Sequence, residues 1–465
     1  MQNFIQRLPL LLRFKAFDAT TEEGRSLERA RRIALTTVSA AAAKAIGIAA
    51  GLITVPLTLN YLGVERYGLW MTISSVIGLL AFADLGIGNG LLNAIADASG
   101  RDDRETAQRC VSSAFFMLSI LAVLLGGSFF AVYPWIPWAK VFNVVSREAV
   151  NETGPAVLAF AVCFFVNIPL GIIQRIQMGY QEGFVNSLWQ AVGSILGLAA
   201  VLAAIHLRAG LPWLVLALAG APVIATVFNA LQLFVFQRSW LFPAWSRVNW
   251  KSGRRIMSAG AYFFILQALG IFNVSSDNII ITQILGPDSV AGYSVAVRLF
   301  SLVPLCLGMF ITPLWSAYGE AFARGDLQWI RRAFVKTLKL SIWISGLSSL
   351  VLVTWGDVII HWWVGPRIAL PFLLLLGMGV GNLLNAFAGS IAMLFNGLNI
   401  LRFQVLMMSL TAAALLVAKI GLTRGFGLPG IVWGAVAAQT VFTYIPSLVY
   451  IVRRLWPRLT QEIGK

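Results

Sequence analysis

Twelve apolar runs, each near the roughly 20 residues that a helix needs to cross a bilayer, leave this chain few ways to fold. They cover 33–59, 67–95, 111–132, 156–178, 184–205, 211–236, 256–284, 291–315, 334–353, 370–394, 403–422 and 431–452. In hydrocarbon every backbone N–H and C=O must be satisfied within the protein, and a helix does this inside one segment. The run at 67–95 is the weakest helix of the set, because "DLGIGNG" (Asp84 to Gly90) sets three glycines within it. Composition agrees: 58% of the 465 residues are hydrophobic and 12% charged, against roughly 25% charged in soluble domains. The expected fold is an all-α polytopic membrane protein of 12 transmembrane helices.

The runs are organised by an internal repeat. Arg31-Arg32-Ile33 recurs as Arg254-Arg255-Ile256, Ile46-Gly47-Ile48 as Leu269-Gly270-Ile271, and Leu62-Gly63 as Leu285-Gly286, each 223 residues on. Gly68 then answers to Gly292 and Asp102 to Asp326, one residue later in register. Six runs per half is an even number, so both halves enter the membrane from the same side as parallel repeats. The expected organisation is an N-terminal extension (1–28), a six-helix lobe (29–238), a basic interfacial linker (239–255), a second six-helix lobe (256–454) and a short tail (455–465). Two such lobes imply a central cavity.

The formal charge of +16 would suggest nucleic acid if it sat on a soluble domain. Most of the 35 basic residues instead flank the runs on one side, which places both termini in the cytoplasm and the anionic lipid of the inner leaflet against the basic loops. No nucleic-acid partner is expected. The linker region "RSWLFPAWSRVNWKSGRR" (Arg238 to Arg255) carries three tryptophans suited to the headgroup zone. Residues Phe4 to Lys15 are expected to lie on the membrane surface as an amphipathic segment. Cys110, Cys163 and Cys306 are scattered, so neither a disulfide framework nor a metal site is expected, and no cofactor.

Polar residues inside the runs are the candidates for function, because each is costly there. Lys44 lies twelve residues past Arg32, near the bilayer centre at 1.5 Å per residue. Lys44, Gly47, Ala50 and Thr54 correspond in the repeat to Gln267, Gly270, Asn273 and Asp277, four positions on one helical face in each half. Such stripes serve either as helix-packing seams or as the walls of a wet cavity; Gly47 and Gly270 suit the first and Lys44 the second. Asp277 and Arg298 fall at similar depth in a helical hairpin and are expected to pair. Arg175 and Asp84 are further candidates, the first as a cation at an inner mouth, the second as an ion ligand or a helix breaker.

The stretches "VPLTLNYLGVERYGLWMTISSVIGLLAFADLGIGNGLLNAIADASG" (Val55 to Gly100) and "SSDNIIITQILGPDSVAGYSVAVRLFSLV" (Ser275 to Val303) resemble the polysaccharide transporter, or O-antigen flippase, branch of the multidrug/oligosaccharidyl-lipid/polysaccharide exporter superfamily. The likeness runs over about residues 30 to 452. It implies a flippase, not an enzyme, in the bacterial inner membrane that turns an undecaprenyl-(pyro)phosphate-linked oligosaccharide to the outer leaflet for surface polysaccharide assembly. It further implies alternating access coupled to a proton or Na+, with a polysaccharide polymerase as a further partner. Lys44, Arg298, Arg175, Gln267 and Asn273 would then line the pyrophosphate cavity, and Asp277 and Asp84 would couple the ion. The alternative is a cation antiporter of the multidrug and toxin extrusion type, which would favour an acidic cavity. A membrane polymerase is disfavoured, because the loops are short and hold no nucleophile or metal constellation.

Overall fold

The computed structural model describes residues 17–18, 21–80, 83–364 and 370–457, and every described segment of regular structure is helical. The expected amphipathic surface segment, residues 4–15, and the last residues of the tail lie outside the described residues. The chain divides into two compact units, Met1–Ala261 and Tyr262–Lys465.

In the first unit α1 (Glu22–Leu80) is bent at Gly63, and α2 (Ile87–Gly100) and α3 (Arg104–Val132) follow. The unit continues through α4 (Arg147–Leu170), α5 (Ile172–Gly179), α6 (Gly183–His206) and α7 (Leu211–Leu231). Helix α6 packs between α1 and α7, α7 packs on α4, and α2 lies against α3 and α5. One apolar core gathers Leu91, Ile95, Val111, Leu118, Ile172 and Ile176; another gathers Leu62, Trp70, Phe160, Leu211 and Leu214. The N-terminal approach is tied down by charge. Glu28 accepts hydrogen bonds from Arg31 (2.7 and 2.8 Å), Arg32 (2.8 Å) and the Phe17 amide (3.0 Å), and Arg32 donates to the carbonyl of Tyr180 at 2.6 Å.

The second unit takes up α8 (Trp250–Leu285) from Tyr262 onward, then α9 (Pro287–Phe300), α10 (Leu302–Ile311), α11 (Leu314–Ala323) and α12 (Leu327–Val364). It ends with α13 (Phe372–Gly397), α14 (Leu401–Phe426), α15 (Leu428–Gln439) and α16 (Ile445–Tyr450). Helix α13 is central: α11, α12 and α15 all pack on it, and α14 packs on α15.

The repeat seen in the sequence is also a repeat of backbone geometry. Gly63 (φ 74, ψ 172) and Gly286 (φ 89, ψ 163) occupy the same region, which is essentially closed to residues with a Cβ. Gly179 and Gly397 share a second device. A Cβ on Gly179 would lie 3.2 Å from the Leu92 carbonyl and 2.7 Å from Ile95, and one on Gly397 would lie 2.7 Å from the Trp315 carbonyl and from Tyr318. Leu92 and Ile95 stand 223 residues before Trp315 and Tyr318, the spacing at which the repeat begins, so the same helix crossing is built twice. A third shared feature is an i,i+4 ion pair, Asp97 with Arg101 (2.9 Å) and Glu320 with Arg324.

Eleven helices among the described residues are long and apolar enough to cross a membrane. The expected run 67–95 is not among them; it includes residues 81–82, which lie outside the described residues, and past them the chain turns. Residues 83–86 form a turn in which Leu85 (φ 51) and Gly86 (φ 75) both take positive φ, and helix resumes only at Ile87. Glycine is the physical reason, as its place in the sequence suggested, since Gly86 accepts the left-handed conformation without strain.

The basic connector belongs to the first unit. The Ala244 amide donates to Ser112 Oγ (3.2 Å), the Asn249 amide to Ser113 Oγ (3.1 Å), and Arg255 pairs with Asp97 at 2.9 Å. Of its tryptophans, Trp245 and Trp250 are exposed, while Trp240 packs on the core beneath Arg104.

Candidate functional site: a buried charge cluster in the second unit

Asp277 is the centre of the most polar cluster inside the spans. It projects from α8 toward α9 and α14, where the Tyr293 hydroxyl donates to its Oδ2 at 2.6 Å and Lys419 Nζ forms an ion pair with its Oδ1. Lys419 Nζ also donates to the backbone carbonyl (2.9 Å) and to Oδ1 (3.1 Å) of Asn273, one turn before Asp277 on α8. All three ammonium hydrogens therefore have acceptors. Lys419 is 1% exposed, so this is a fully desolvated cation whose burial is tolerable only because it is paired and hydrogen-bonded throughout.

Lys419 was not among the residues that the sequence singled out. It stands three residues before the expected end of the run 403–422, where a lysine reads as a flanking charge. The structure carries α14 on to Phe426, which sets Lys419 about two turns inside the helix. A signal was present: Thr411, Leu415, Lys419 and Thr423, four residues apart each, form one buried stripe.

The expected pairing of Asp277 with Arg298 is not what the structure shows. Tyr293 and Arg298 share α9 but stand five residues apart, so their side chains leave the helix about 140° apart. Tyr293 faces inward on Asp277 and is buried, and Arg298 is exposed. Lys44 is likewise exposed, beside the buried Ala43, on a helix whose neighbouring Gly47 lies against α6, 3.6 Å from Ser194 for a built Cβ. That stripe is thus a packing seam at Gly47 and buried Thr54, with the lysine outside the seam. Gln267 and Asn273 are half-buried, and Asn273 joins the Lys419 network.

Asp84 and Arg175 come together in the first unit. The Asp84 carboxylate accepts the amides of Gly86 (2.9 Å) and Gly88 (3.3 Å), so it caps the start of α2 at the break in the chain. A Cβ on Gly88 would stand 2.7 Å from Asp84 Oδ2 and 3.0 Å from Arg175 Nε, so the glycine leaves room for the arginine to approach the cap. Nearby on α5, Gln177 exchanges amide hydrogen bonds with Asn229 on α7 (2.5 and 3.1 Å), both side chains buried. No group of acidic, cysteine or histidine side chains able to hold a metal occurs among the described residues.

Eleven membrane-length helices among the described residues, with charge buried inside spans, define a multi-pass membrane protein. Solved structures share this fold. A MATE protein crystallised in a bent conformation superposes with a TM-score of 0.76 over 95% of this chain and 100% of its own, at 16% identity. A MOP superfamily transporter from Pyrococcus furiosus superposes at 0.75 over 93% and 97%, also at 16% identity. Within that class, residues 36–317 match the family model for polysaccharide biosynthesis proteins, and the chain belongs to that family. A Salmonella typhi protein named for O-antigen transport is 22% identical over 85% of this chain and 90% of its own. A Yersinia pseudotuberculosis protein named for O-antigen export is 20% identical over 66% and 70%. The chain is a polysaccharide-branch member of the MOP superfamily, a bacterial inner-membrane protein and not an enzyme.

Proposed function

We propose that this protein moves an undecaprenyl-(pyro)phosphate-linked oligosaccharide from the inner to the outer leaflet for assembly of O-antigen or a related surface polysaccharide. The family match over residues 36–317 carries this reading, supported by relatives named for O-antigen transport and export. The physical problem is the headgroup: an unpaired phosphate in hydrocarbon is prohibitively costly, so the path needs fixed cations. Lys44 and Arg298, exposed within spans, supply them. Arg175, Gln267 and Asn273 add polar contacts along the path.

Coupling is assigned to Asp277. Its carboxylate holds Lys419, and a proton or Na+ arriving at Asp277 weakens that hold and frees the ammonium. Asp84, engaged as a helix cap, couples through the α2 break. A drug-cation antiporter is less well supported: the acid it would use is already neutralised by a lysine of the same chain, and the MATE likeness is one of fold.

Complementation tests this. In a strain lacking the protein, wild type is expected to restore surface polysaccharide, while Lys44→Ala, Arg298→Ala and Asp277→Ala, each confirmed as inserted, fall below about a tenth of that level, as loss of one charge-assisted contact predicts. Full restoration by Lys44→Ala and Arg298→Ala together would remove the phosphate path.

A further inference from the structure

The second unit holds a cleft of about 330 Å³ next to the Lys419 cluster. It is walled by α8, α13, α14 and the segment after α15, and its polar lining is wholly neutral: Asn273, Asn385, Gln404, Gln439, Thr443 and Tyr444. Met407 and Met408 supply apolar surface beside them. Part of the polar lining is held in place by internal bonds. Tyr444 donates to Gln439 Oε1 (2.6 Å) and, more weakly, to Asn385 Oδ1 (3.3 Å), and the hydroxyls of Thr411 and Thr443 meet at 2.6 Å. Gln439 Nε2 has no hydrogen-bond partner among the described residues, and Asn385 is exposed.

This wall is also where the two halves of the repeat diverge. Leu211-Pro212 opens α7 and Leu428-Pro429 opens α15, yet α7 runs unbroken to Leu231 before its π-helical end, Gln232–Gln237, while α15 stops after 12 residues at Gln439 and passes into an earlier π-helical turn, Thr440–Tyr444. Such turns are frequent at functional sites, because the wider backbone redirects side chains. Here the turn carries Thr443 and Tyr444 into the cleft.

The chemistry of the lining selects its ligand. An inorganic cation or a phosphate would enter a site with no compensating charge, since Asp277 next door is already held by Lys419. A purely apolar ligand would leave the amides and hydroxyls without partners. A sugar ring satisfies both requirements, with hydroxyls for the amides and an apolar face for Met407 and Met408. We propose that this cleft is a saccharide subsite that takes a single neutral sugar unit of the transported oligosaccharide. The proposal rests on the flippase reading above and adds where the glycan is held. Asn273 belongs both to the cleft and to the acceptors of Lys419, so a sugar hydroxyl that engages Asn273 Oδ1 competes with the ammonium. Glycan binding is thereby coupled to the charge cluster.

The test uses the full chain in lipid nanodiscs and three probes: the oligosaccharide repeat unit released by mild acid from the host's lipid carrier, undecaprenyl pyrophosphate without sugar, and NaCl against KCl. The released oligosaccharide is expected to raise the unfolding temperature of the wild type, and this shift is expected to vanish in Gln439→Leu and in Asn385→Ala. Asn385→Ala trims an exposed side chain and gives up one long hydrogen bond, the 3.3 Å contact from the Tyr444 hydroxyl, which keeps Gln439 Oε1 as its acceptor. Sugar-free carrier should affect all three proteins equally. In cells both variants should carry the complete repeat unit at least about tenfold more slowly, the effect of one well-placed hydrogen bond. An oligosaccharide shift that is unchanged in both variants, or absent from wild type while sugar-free carrier still shifts it, overturns the subsite. A Na+-specific shift lost in the variants would make the cleft a cation site, and also overturns it. Failure of the wild type itself to complement would instead defeat the flippase reading.

Discussion

Lys419 and Asp277 form a pair whose two members have separable effects. Removing one charge of a buried pair leaves the other desolvated and uncompensated, at a cost of about 3–5 kcal/mol. Lys419→Met and Asp277→Asn are each expected to lower the unfolding temperature clearly, and the double variant to recover most of the loss. Transport should stay abolished in the double variant, because the carboxylate that accepts the coupling ion is gone. Thermal unfolding in nanodiscs beside complementation reads both; a Lys419→Met single variant as stable as wild type would contradict the pairing. Glu65 offers a test outside the spans. The Ser146 hydroxyl and the amides of Ser146 (3.1 Å) and Val145 (2.6 Å) hold its carboxyl below the ordinary glutamate range. A lowered folded pKa contributes stability that is present above the unfolded value and is lost as pH falls through the folded one. Hydrogen exchange at Val145 and Ser146, corrected for its intrinsic pH dependence, should therefore stay slow until the solution is more acidic than that range. In Glu65→Gln it should be fast at neutral pH.

Among the elements, the repeated glycines have the most specific consequence. Gly63 and Gly286 have open space where a Cβ would go, so an alanine there meets no atom and costs only backbone strain, about 1–3 kcal/mol. Gly68, helical and equally open, is the control: alanine there should be neutral or stabilising. Similar losses at Gly63 and Gly286, measured as shifts in unfolding temperature, would show that the bend is built alike in both halves; a Gly63→Ala protein no less stable than Gly68→Ala would deny it. These elements also mark how far the sequence could be read. The apolar runs, the duplication and the weak place at Asp84 to Gly90 were visible because each is a local pattern. The partner of Asp277 was not, since Lys419 is 142 residues away and only packing brings them together. Arg298 looked plausible because depth can be counted along a helix, whereas the face a side chain takes depends on neighbours the sequence does not name. The neutral cleft was hidden for the same reason, with walls drawn from four separate stretches of chain.

For the whole molecule the open quantity is the number of crossings: eleven helices qualify on length and apolarity, and twelve were expected. Contacts inside the first unit decide which to predict. Arg32, at the start of α1, donates to the Tyr180 carbonyl. Arg238 stacks over the Tyr180 ring at 4.2 Å and pairs with Glu182 at 2.6 Å. Trp240, two residues on, lies under Arg104 at the start of α3, at 5.5 Å. The beginnings of α1 and α3 and the end of α7 therefore share one side. An even number of crossings is then expected between Arg32 and Arg104, which predicts a return crossing between Gly63 and Arg104 despite the turn at 83–86. The prediction is therefore twelve crossings, with residues near Val145 expected on the outer side and the connector expected inside, in keeping with the basic residues around it. With Cys110, Cys163 and Cys306 replaced by serine, Val145→Cys and Ser239→Cys each place one thiol at an exposed position. A membrane-impermeant maleimide added to intact cells is expected to label Val145→Cys fully, and Ser239→Cys only after the membrane is opened. Without the return crossing both positions change sides, and the labelling pattern inverts.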